Sequence, residues 1–368
     1  MRVVVATVVH HPADARIYFR QIRALLDAGH QVTYIAPFGE SGGTVPNNYS
    51  ERTGATVTAV TIPRAVGRRR LGALRAARAA LAAHAPSADL LLVHDPELLL
   101  VLPPRRKRPP TVWDVHEDTA AALTTKAWLP SFLRPVAAGG VTFAERLAER
   151  RLHLILAEHG YTARFTRTHP VVPNTTYVPD TAAPPAGPPR VIYVGHISPD
   201  RGSAEMTELA RLLAPHGIAV DLVGPADAAA RAHIEAAGDL VRWHGFVPNE
   251  EALRLTEGAL AGLSLLHDEA NFRSSMPTKV VEYMARGVPV ITTPLPLAVE
   301  LVRGAECGFV VPFGDVRAAC EAVLALHRDQ DLRVTMGLRG HDAAKRSHGW
   351  PADASAFVAQ LESWARNP

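Results

Sequence analysis

The chain has 368 residues, of which 47% are hydrophobic, and a formal net charge of +3. This length exceeds the usual size of a single hydrophobic core, so we expect two domains. The two cysteines, Cys307 and Cys320, have no metal-ligand spacing and form no disulfide framework, which is typical of a reducing cytoplasm. No apolar run reaches the roughly 18 residues of a spanning helix, and the short apolar start lacks a signal-peptide cleavage site. We therefore expect a soluble, cytoplasmic protein.

Positive charge is concentrated in two clusters in the first half of the chain. One comprises Arg64 and residues 68–70, and the other comprises residues 105–108. Such runs can attract phosphate-bearing partners or an anionic membrane surface. No aromatic residues interleave them and no recognition motif accompanies them, so nucleic acid is not an expected partner. We favour solvated surfaces for both clusters, with peripheral membrane contact as the alternative.

Apolar strand patterns alternate with amphipathic helix patterns along both halves, which indicates parallel sheets with crossover helices. In the first half, a helix from about 16 to 29 follows the first of six strands, predicted at 2–9, 31–36, 56–62, 89–94, 111–115 and 153–157. The proline-rich segment 179–189 lacks an apolar period and predicts a linker. The alternation then restarts, with strands predicted at 190–195, 221–224, 240–243, 263–266, 288–292 and 309–311. A final helix is expected from about 352 to 366.

Residues 276–292, MPTKVVEYMARGVPVIT, predict a helix that leads into a buried strand. Pro277 suits the first helical turn, and Gly287 ends the helix. Glu282 lies one turn inside, where a carboxylate could accept hydrogen bonds from a ribose diol while the helix N–H groups face phosphate. The alternative is that Glu282 only complements the helix dipole.

The segment PTKVVEYMARGVPVI resembles the carboxyl-terminal donor-site motif of the large retaining glycosyltransferase family four. Other segments resemble the same family in the same order: RIYFRQIRALLDAGHQVTYIAP, DVHED at 114–118, VVPN at 171–174, YVGHISPDRG at 193–202, HGFVPNEEAL at 244–253 and CGFVVPFGD at 307–315. The resemblance implies the GT-B fold, an α/β architecture in which two Rossmann-like doubly wound domains face each other across a cleft. We expect an acceptor-side domain at 1–178 with the terminal helix 352–368, the linker at 179–189, and a nucleotide-sugar domain at 190–351.

The resemblance implies that the second domain holds a nucleotide-diphosphate sugar. Backbone N–H groups after Gly195 and the guanidinium of Arg201 would bind the diphosphate. The family usually has an arginine where this chain has His196, and Lys279 could replace that charge or remain a solvated lysine. The expected donor-binding residues are Arg16, Gly195, His196, Phe246, Val247, Ser275, Met276, Lys279 and Glu282.

Catalytic residues are expected in both domains. The family often has two glutamates eight positions apart, and Ser274 occupies the earlier position, so no glutamate role transfers to it. Ser274 could instead hydrogen-bond a sugar hydroxyl, and Asp268 and Glu269 lie in the same loop. His116 follows a predicted strand and matches the family histidine that contacts the donor sugar. We expect His116, Arg201 and Ser274 to be catalytic.

The loop HHPADAR at 10–16 stands where relatives often have a glycine-rich loop against the diphosphate, and it contains no glycine. Arg16 is the expected anion contact there, with Asp14 as the N-cap of the following helix. Glu117 and Asp118 are expected to cap the next helix. The residues expected on the acceptor side, with a structural turn as the alternative, are His11, His94, Asp95 and Glu97.

These features predict a bacterial, biosynthetic glycosyltransferase that retains the anomeric configuration by front-face displacement, in which the leaving diphosphate helps to deprotonate the acceptor. No Ser–His–Asp pattern, glycosidase-like carboxylate pair or metal cluster stands out in the sequence, so we expect no cofactor and no metal. The expected partners are a nucleotide sugar and a small-molecule, glycan or lipid-linked acceptor, and the oligomeric state is not predicted. The alternatives are a catalytically silent pseudo-glycosyltransferase or partner subunit, and a GT-B sugar-nucleotide isomerase.

Overall fold

The computed structural model describes residues 1–40, 50, 52–116 and 134–367. Its internal contacts divide the chain into two compact units. The first unit contains Met1–Asn174 and Pro351–Pro368, and the second contains Thr175–Trp350.

The first unit is built on six parallel strands in the order β3-β2-β1-β4-β5-β6. Their bounds are β1 Arg2–Ala6, β2 Gln31–Ala36, β3 Val57–Thr61, β4 Leu90–Val93, β5 Thr111–Val115 and β6 His153–Leu156. The strands β4 and β5 are buried throughout, as expected where helices cover both faces of a parallel sheet. The strand order reverses between β1 and β4. In doubly wound sheets, ligands bind beyond the carboxyl ends of the strands at this switch point.

The helices of the first unit begin with a π-helical segment. This segment, Ala15–Ile22, is capped by the Asp14 side chain, which accepts from the backbone N–H groups of Arg16 and Ile17, so the predicted N-cap is confirmed. The α-helices in the described part of this unit are Arg23–Asp27, Arg70–His84, Arg134–Glu149 and the terminal Trp350–Arg366. The terminal helix packs in the first unit, where Trp364 stacks on His153 with ring centroids 4.6 Å apart. The expected caps Glu117 and Asp118 lie outside the described residues.

The second unit repeats the strand order of the first unit. Its sheet runs β12-β11-β10-β7-β8-β9, and the order reverses between β10 and β7. The bounds are β7 Arg190–Val194, β8 Ala219–Val223, β9 Val241–Gly245, β10 Ala261–Ser264, β11 Val290–Thr292 and β12 Gly308–Val310. Alternate residues of β7 enter two separate apolar clusters, Val191 and Tyr193 in one and Ile192 and Val194 in the other. The sheet is therefore covered on both faces.

The helices of the second unit lie between these strands and after them. They are Ser203–Leu213, Ala228–Ala237, Asn249–Thr256, Ala270–Arg273, Thr278–Ala285, Pro296–Gly304, Val316–Arg328 and Gln330–Ser347. No helix in the described part of the chain combines the length and apolar character needed to cross a membrane.

The segment expected to be a linker belongs to the second unit. His341 donates from Nε2 to the carbonyl oxygen of Pro179 at 2.9 Å, and Lys345 donates to that of Asp180 at 3.1 Å. The start of this segment therefore lies against the helix Gln330–Ser347, and the contacts divide the chain after Asn174 rather than after residue 178. The proline-rich composition gives this segment no periodic apolar pattern, but its backbone carbonyls still accept hydrogen bonds from side chains of the second unit.

Candidate functional site

The chain leaves β7 through a tight turn at the switch point of the second sheet. Gly195 has a φ of 130°, and Gly202, with a φ of 85°, precedes the helix Ser203–Leu213. A β-carbon on Gly202 would lie 2.4 Å from the carbonyl oxygen of Leu265, which follows β10. Only glycine fits this backbone conformation and this close approach. The turn therefore lies against the carboxyl end of β10.

Lys279 is the cation beside this turn. Its side chain is 6% exposed, and its Nζ lies 4.9 Å from the ring centroid of Tyr193. A β-carbon on Gly195 would lie 3.6 Å from Cε and 3.9 Å from Nζ of Lys279. Burial, followed by the positive charge of Arg201, lowers the pKa of Lys279 to about 7. The solvated-lysine alternative is therefore wrong, and an anion bound at the turn would favour the charged amine.

Arg201 adds a second positive charge at the turn. It lies on the short helical turn Pro199–Arg201, with Cζ 5.4 Å from the ring centroid of Phe272. The hydroxyl of Tyr193 donates to the backbone carbonyl of His196 at 2.6 Å. Burial raises the pKa of Tyr193 to about 12, so this hydroxyl stays a donor. The turn is fixed through the His196 backbone, while the imidazole of His196 is exposed.

The helix Thr278–Ala285, which contains Lys279, begins without a side-chain cap. Pro277 is its N-cap residue and makes no side-chain capping hydrogen bond, and Met276 immediately precedes it. The first N–H groups of a helix have no partner within the helix and point toward its N-terminal end. Together with the helix dipole, they favour an anion at that end. This helix start and the Lys279 amine therefore favour the same kind of ligand.

Glu282 lies further along this helix and is buried. Its Oε1 accepts a hydrogen bond from Nδ2 of Asn249 at 3.2 Å. Asn249 opens the helix Asn249–Thr256, and no motif in the sequence predicted its contact. Phe246 and Val247 stand just before it, after β9, where Phe246 is half-exposed and Val247 packs against the apolar cluster that contains Val280. The segment 246–249 therefore contains both Asn249, which binds the Glu282 carboxylate, and the accessible ring of Phe246.

The loop before this helix departs from the two-glutamate pattern. Ser274 ends the short helix Ala270–Arg273, and the N–H of Ser275 donates to the carbonyl of Phe272 at 3.4 Å. Arg273 binds both carboxylate oxygens of Asp268, at 2.6 and 2.8 Å. Asp268 is thus paired with a cation of its own loop. The role of Ser274 stays a prediction.

Histidines and carboxylates meet at the switch point of the first sheet. The Nε2 atoms of His10 and His116 are 2.9 Å apart, and His10 Nε2 is 3.2 Å from Oδ1 of Asp95. Nδ1 of His116 lies 3.1 Å from the backbone carbonyl oxygen of Asp114. A carbonyl oxygen only accepts, so Nδ1 of His116 carries a proton, and the one proton on Nε2 of His10 is shared between Nε2 of His116 and Oδ1 of Asp95. His10, which the sequence patterns did not single out, therefore orients His116.

Asp95 holds the loop that carries His10. Its Oδ2 accepts from the Thr7 hydroxyl at 2.8 Å and from the backbone N–H of Val9 at 3.3 Å. Burial opposes its ionisation, but the hydrogen bond from His10 and the charge of that ring hold the pKa of Asp95 well below its ordinary value. Asp95 and His94 are 2% and 1% exposed. They can position other groups but cannot contact an acceptor directly, which corrects the expectation for both.

Arg16 forms a buried ion pair instead of an anion site. Its Nε and Nη2 donate to the two carboxylate oxygens of Asp114 at 2.7 and 2.6 Å. Its Nη1 donates to the carbonyl of Val172 at 2.9 Å and to Oδ1 of Asn174 at 3.0 Å. Burial disfavours both charges. Even so, Asp114 raises the pKa of Arg16 and Arg16 lowers the pKa of Asp114, so both groups stay ionised. The expected diphosphate contact of Arg16 is therefore wrong, because all three nitrogens are committed within the first unit.

The remaining first-unit residues have local partners. Nδ1 of His11 accepts from the N–H of Ala13 at 3.0 Å, and Glu97 lies 3.5 Å from Arg70. Among the described residues, one group has ligand atoms close enough to hold a metal ion, and it consists of His94, Asp114 and His116, with all atoms within 4.8 Å of one another. A cation there would compete with Arg16 for the Asp114 carboxylate.

Two family models match the chain over successive ranges. Residues 15–181 match the glycosyl transferase 4-like domain, and residues 188–329 match glycosyl transferases group 1. A phosphatidyl-myo-inositol mannosyltransferase of Mycobacterium leprae is 35% identical over 86 residues, which is 23% of this chain and 23% of that protein. The chain spans only 23 to 40% of the length of the curated relatives it matches.

Solved structures are similar over almost the whole chain. Sucrose-phosphate synthase from Thermosynechococcus elongatus has a TM-score of 0.75 at 19% identity and covers 98% of both chains. Anabaena HepE in complex with UDP and glucose has a TM-score of 0.69 at 16% identity, covering 98% of this chain and 99% of that one. Identities this low show the fold alone, and the family models give the family. The chain belongs to the family-four type of group 1 glycosyltransferases, and its two Rossmann-like units have the GT-B fold.

Proposed function

We propose that this chain is a glycosyltransferase of the EC 2.4 class that moves a glycosyl group from a nucleotide-diphosphate sugar to an acceptor. The observation that carries the proposal is the convergence at the switch point of the second sheet. There the glycine turn at Gly195, the buried amine of Lys279 and the uncapped start of the helix Thr278–Ala285 favour one anion. Arg201 contributes a second cation whose charge acts on Lys279. A diphosphate carries the negative charge that would balance these cations and the helix N-terminus.

The nucleoside part of the donor is assigned to the neighbouring helices. Glu282, held by Asn249, would accept hydrogen bonds from the ribose hydroxyls, and the exposed ring of Phe246 offers a surface for the base. HepE, which shares the fold, was crystallised with UDP and glucose, so a UDP-sugar is the first donor to test. The free cysteines Cys307 and Cys320 fit a cytoplasmic donor pool.

The chemistry follows from where charge develops. Cleavage of the glycosidic bond increases negative charge on the departing diphosphate, and Lys279 and Arg201 would stabilise that charge more in the transition state than in the ground state. Two fixed cations and a helix N-terminus supply the positive field, so the proposed transfer needs no divalent metal. Retention by front-face displacement completes the proposal and rests on the family resemblance. His116, oriented by His10 and Asp95, is assigned to transfer and not to nucleotide binding.

Donor turnover tests the proposal. Purified protein is first screened by thermal shift against UDP-, GDP- and dTDP-sugars, and the donor that binds is then incubated with and without acceptors. Release of nucleoside diphosphate only with acceptor supports transfer. A changed sugar without acceptor identifies the isomerase instead. Donor binding without either outcome identifies a silent relative, for which the departures at His196 and Ser274 provide the reason.

A matched pair of arginine variants tests the mechanism. Arg201→Ala is expected to lower turnover more than donor affinity, because the charge that it stabilises grows in the transition state. Arg211→Ala is the control, since Arg211 lies in the following helix and pairs with the exposed Glu208. Equal losses of turnover and affinity for Arg201→Ala would indicate uniform binding and contradict this assignment.

A further inference from the structure

A cavity of about 750 Å³ lies in the first unit, and the function proposed above does not use it. Its walls come from the segment 96–108 and from the helix Arg134–Glu149 with the residues that follow it. The lining is mainly apolar and includes Leu102, Trp113, Val141, Ala144 and Leu147. Cavities of this size and character bind small molecules. Pro96, in the wall, directly follows Asp95 in the chain.

Large apolar side chains continue from the cavity onto the surface. Leu100 is 81% exposed, and Val136 and Phe143 are 71% and 72% exposed. Positions 136, 143 and 147 share one face of their helix because they are spaced by two turns and one turn. Leu147 belongs both to this face and to the cavity wall. An exposed apolar face that is continuous with an apolar cavity is typical of a binding surface.

The cavity also carries uncompensated positive charge. Arg105, Arg108 and Arg151 line it, and none of the three forms an ion pair with any residue that the structure describes. The acidic lining residues are Glu97 and Glu145, and each pairs with an arginine outside the lining. The three guanidinium groups are therefore available to an anionic ligand.

Two buried donors in this wall have no hydrogen-bond acceptor among the described residues. They are Nη1 of Arg108 and the indole Nε1 of Trp113, whose side chain is 2% exposed. Leaving a buried donor unsatisfied is costly, so such groups point to a missing partner. Burial and the neighbouring charge of Arg105 also lower the pKa of Arg108. A bound anion would give Nη1 of Arg108 an acceptor and would oppose the lowering of its pKa.

We propose that this cavity binds a lipid phosphate from a bilayer. The hydrocarbon chain would lie between the segment 96–108 and the helix Arg134–Glu149, with the phosphate at Arg105 and Arg108. The exposed face formed by Leu100, Val136 and Phe143 would contact the membrane. The lipid phosphate serves as an anchor and not as the reacting acceptor, because Arg105 and Arg108 precede β5 whereas His116 follows it at the opposite end of the strand; this assignment rests on the proposed transferase function.

Binding of n-decyl phosphate, measured by calorimetry, tests the cavity directly. The double variant Arg105→Gln/Arg108→Gln is expected to bind roughly tenfold or more weakly, because it loses charge-assisted hydrogen bonds to the phosphate. The matched control is Arg106→Gln/Lys107→Gln, which removes the same charge from the same turn at residues outside the lining. This control should bind almost as well as the unmodified chain. Ala144→Trp, which fills the cavity, should weaken binding without any change of charge.

The remaining measurements test whether the ligand needs a phosphate headgroup and whether it comes from a bilayer. Decanol should bind much more weakly than decyl phosphate, and phosphatidylcholine vesicles should recruit the protein only when they contain polyprenyl phosphate. Equal losses in the two double variants, or equal binding of decanol, would overturn the phosphate site. If vesicles recruit the protein equally with and without polyprenyl phosphate, the proposal that the lipid phosphate comes from a bilayer is wrong. UDP affinity is measured in parallel: absent UDP binding contradicts the transferase, whereas normal UDP binding without decyl phosphate binding contradicts only the lipid site.

Discussion

Replacing Lys279 with methionine should make the second unit more stable below neutral pH. The folded-state pKa of Lys279 is about 7, compared with an ordinary value of 10.5. The difference of about 3.5 units, at 1.36 kcal/mol per unit, corresponds to about 5 kcal/mol of unfavourable free energy when both states are protonated. Loss of the cation–π contact with Tyr193 offsets about 1 kcal/mol. The expected net gain for Lys279→Met at pH 6 is therefore about 4 kcal/mol.

The sign of the pH dependence follows from proton binding. Between pH 7 and 10.5 the unfolded chain keeps the Lys279 proton while the folded chain has released it, so the unmodified protein gains stability as the pH rises. Lys279→Met has no such group, and its advantage should shrink by about 2.5 kcal/mol between pH 7.5 and 9.5. Below pH 7 the difference should be constant.

Denaturant unfolding of the two proteins at both pH values measures this difference. Lys345→Met is the matched control, because Lys345 lies in the same unit and its side chain is 52% exposed. The sequence has four lysines, so a spectrum of the chain labelled with ¹³C at lysine Cε resolves the Lys279 titration directly. A difference between unmodified and Lys279→Met protein that does not change with pH, or a Lys279 midpoint near 10, would refute the reasoning.

Four further outcomes are expected. UDP binding at pH 8 should take up close to one proton per site, seen as a calorimetric enthalpy that depends on the buffer, because the diphosphate raises the pKa of Lys279; the same enthalpy in all buffers would contradict this. Glu282→Gln should weaken UDP binding by about 1.5–3 kcal/mol with the fold intact, and Asn249→Ala by less; unchanged titrations would remove both from the ribose site. His116→Ala should lower the initial rate and leave UDP affinity unchanged; a large loss of affinity would show that the units do not divide the work as proposed. Arg16→Met should destabilise the first unit by about 3–5 kcal/mol in denaturant unfolding, because it removes the cation that pairs with the buried Asp114 carboxylate, whereas a UDP affinity that falls with it would restore an anion-binding role.

Most of the fold follows from local sequence patterns. Strand β2 at Gln31–Ala36 and strand β5 at Thr111–Val115 have the predicted bounds, because short runs rich in β-branched and aromatic residues specify strands. The Asp14 cap and the helix Thr278–Ala285 were also predicted, since caps and helical periods depend on neighbours a few residues apart. Gly195, Lys279 and Glu282, to which donor binding is assigned, were singled out because each lies in a contiguous motif.

Only the tertiary structure decided which side chains meet over long sequence distances. Arg16 looks in sequence like an anion contact, yet Asp114 on a separate strand takes its guanidinium. His10 gained its role because the ends of two strands place Asp95 and His116 beside it, and burial and the charge of Arg201 lower the pKa of Lys279. Burial and electrostatic energy depend on packing in space, which local periodicity does not encode. The sequence by itself therefore indicated the strands, some of the helices and the motifs expected to bind the donor, whereas packing decided the charge states and the partners of the buried polar groups.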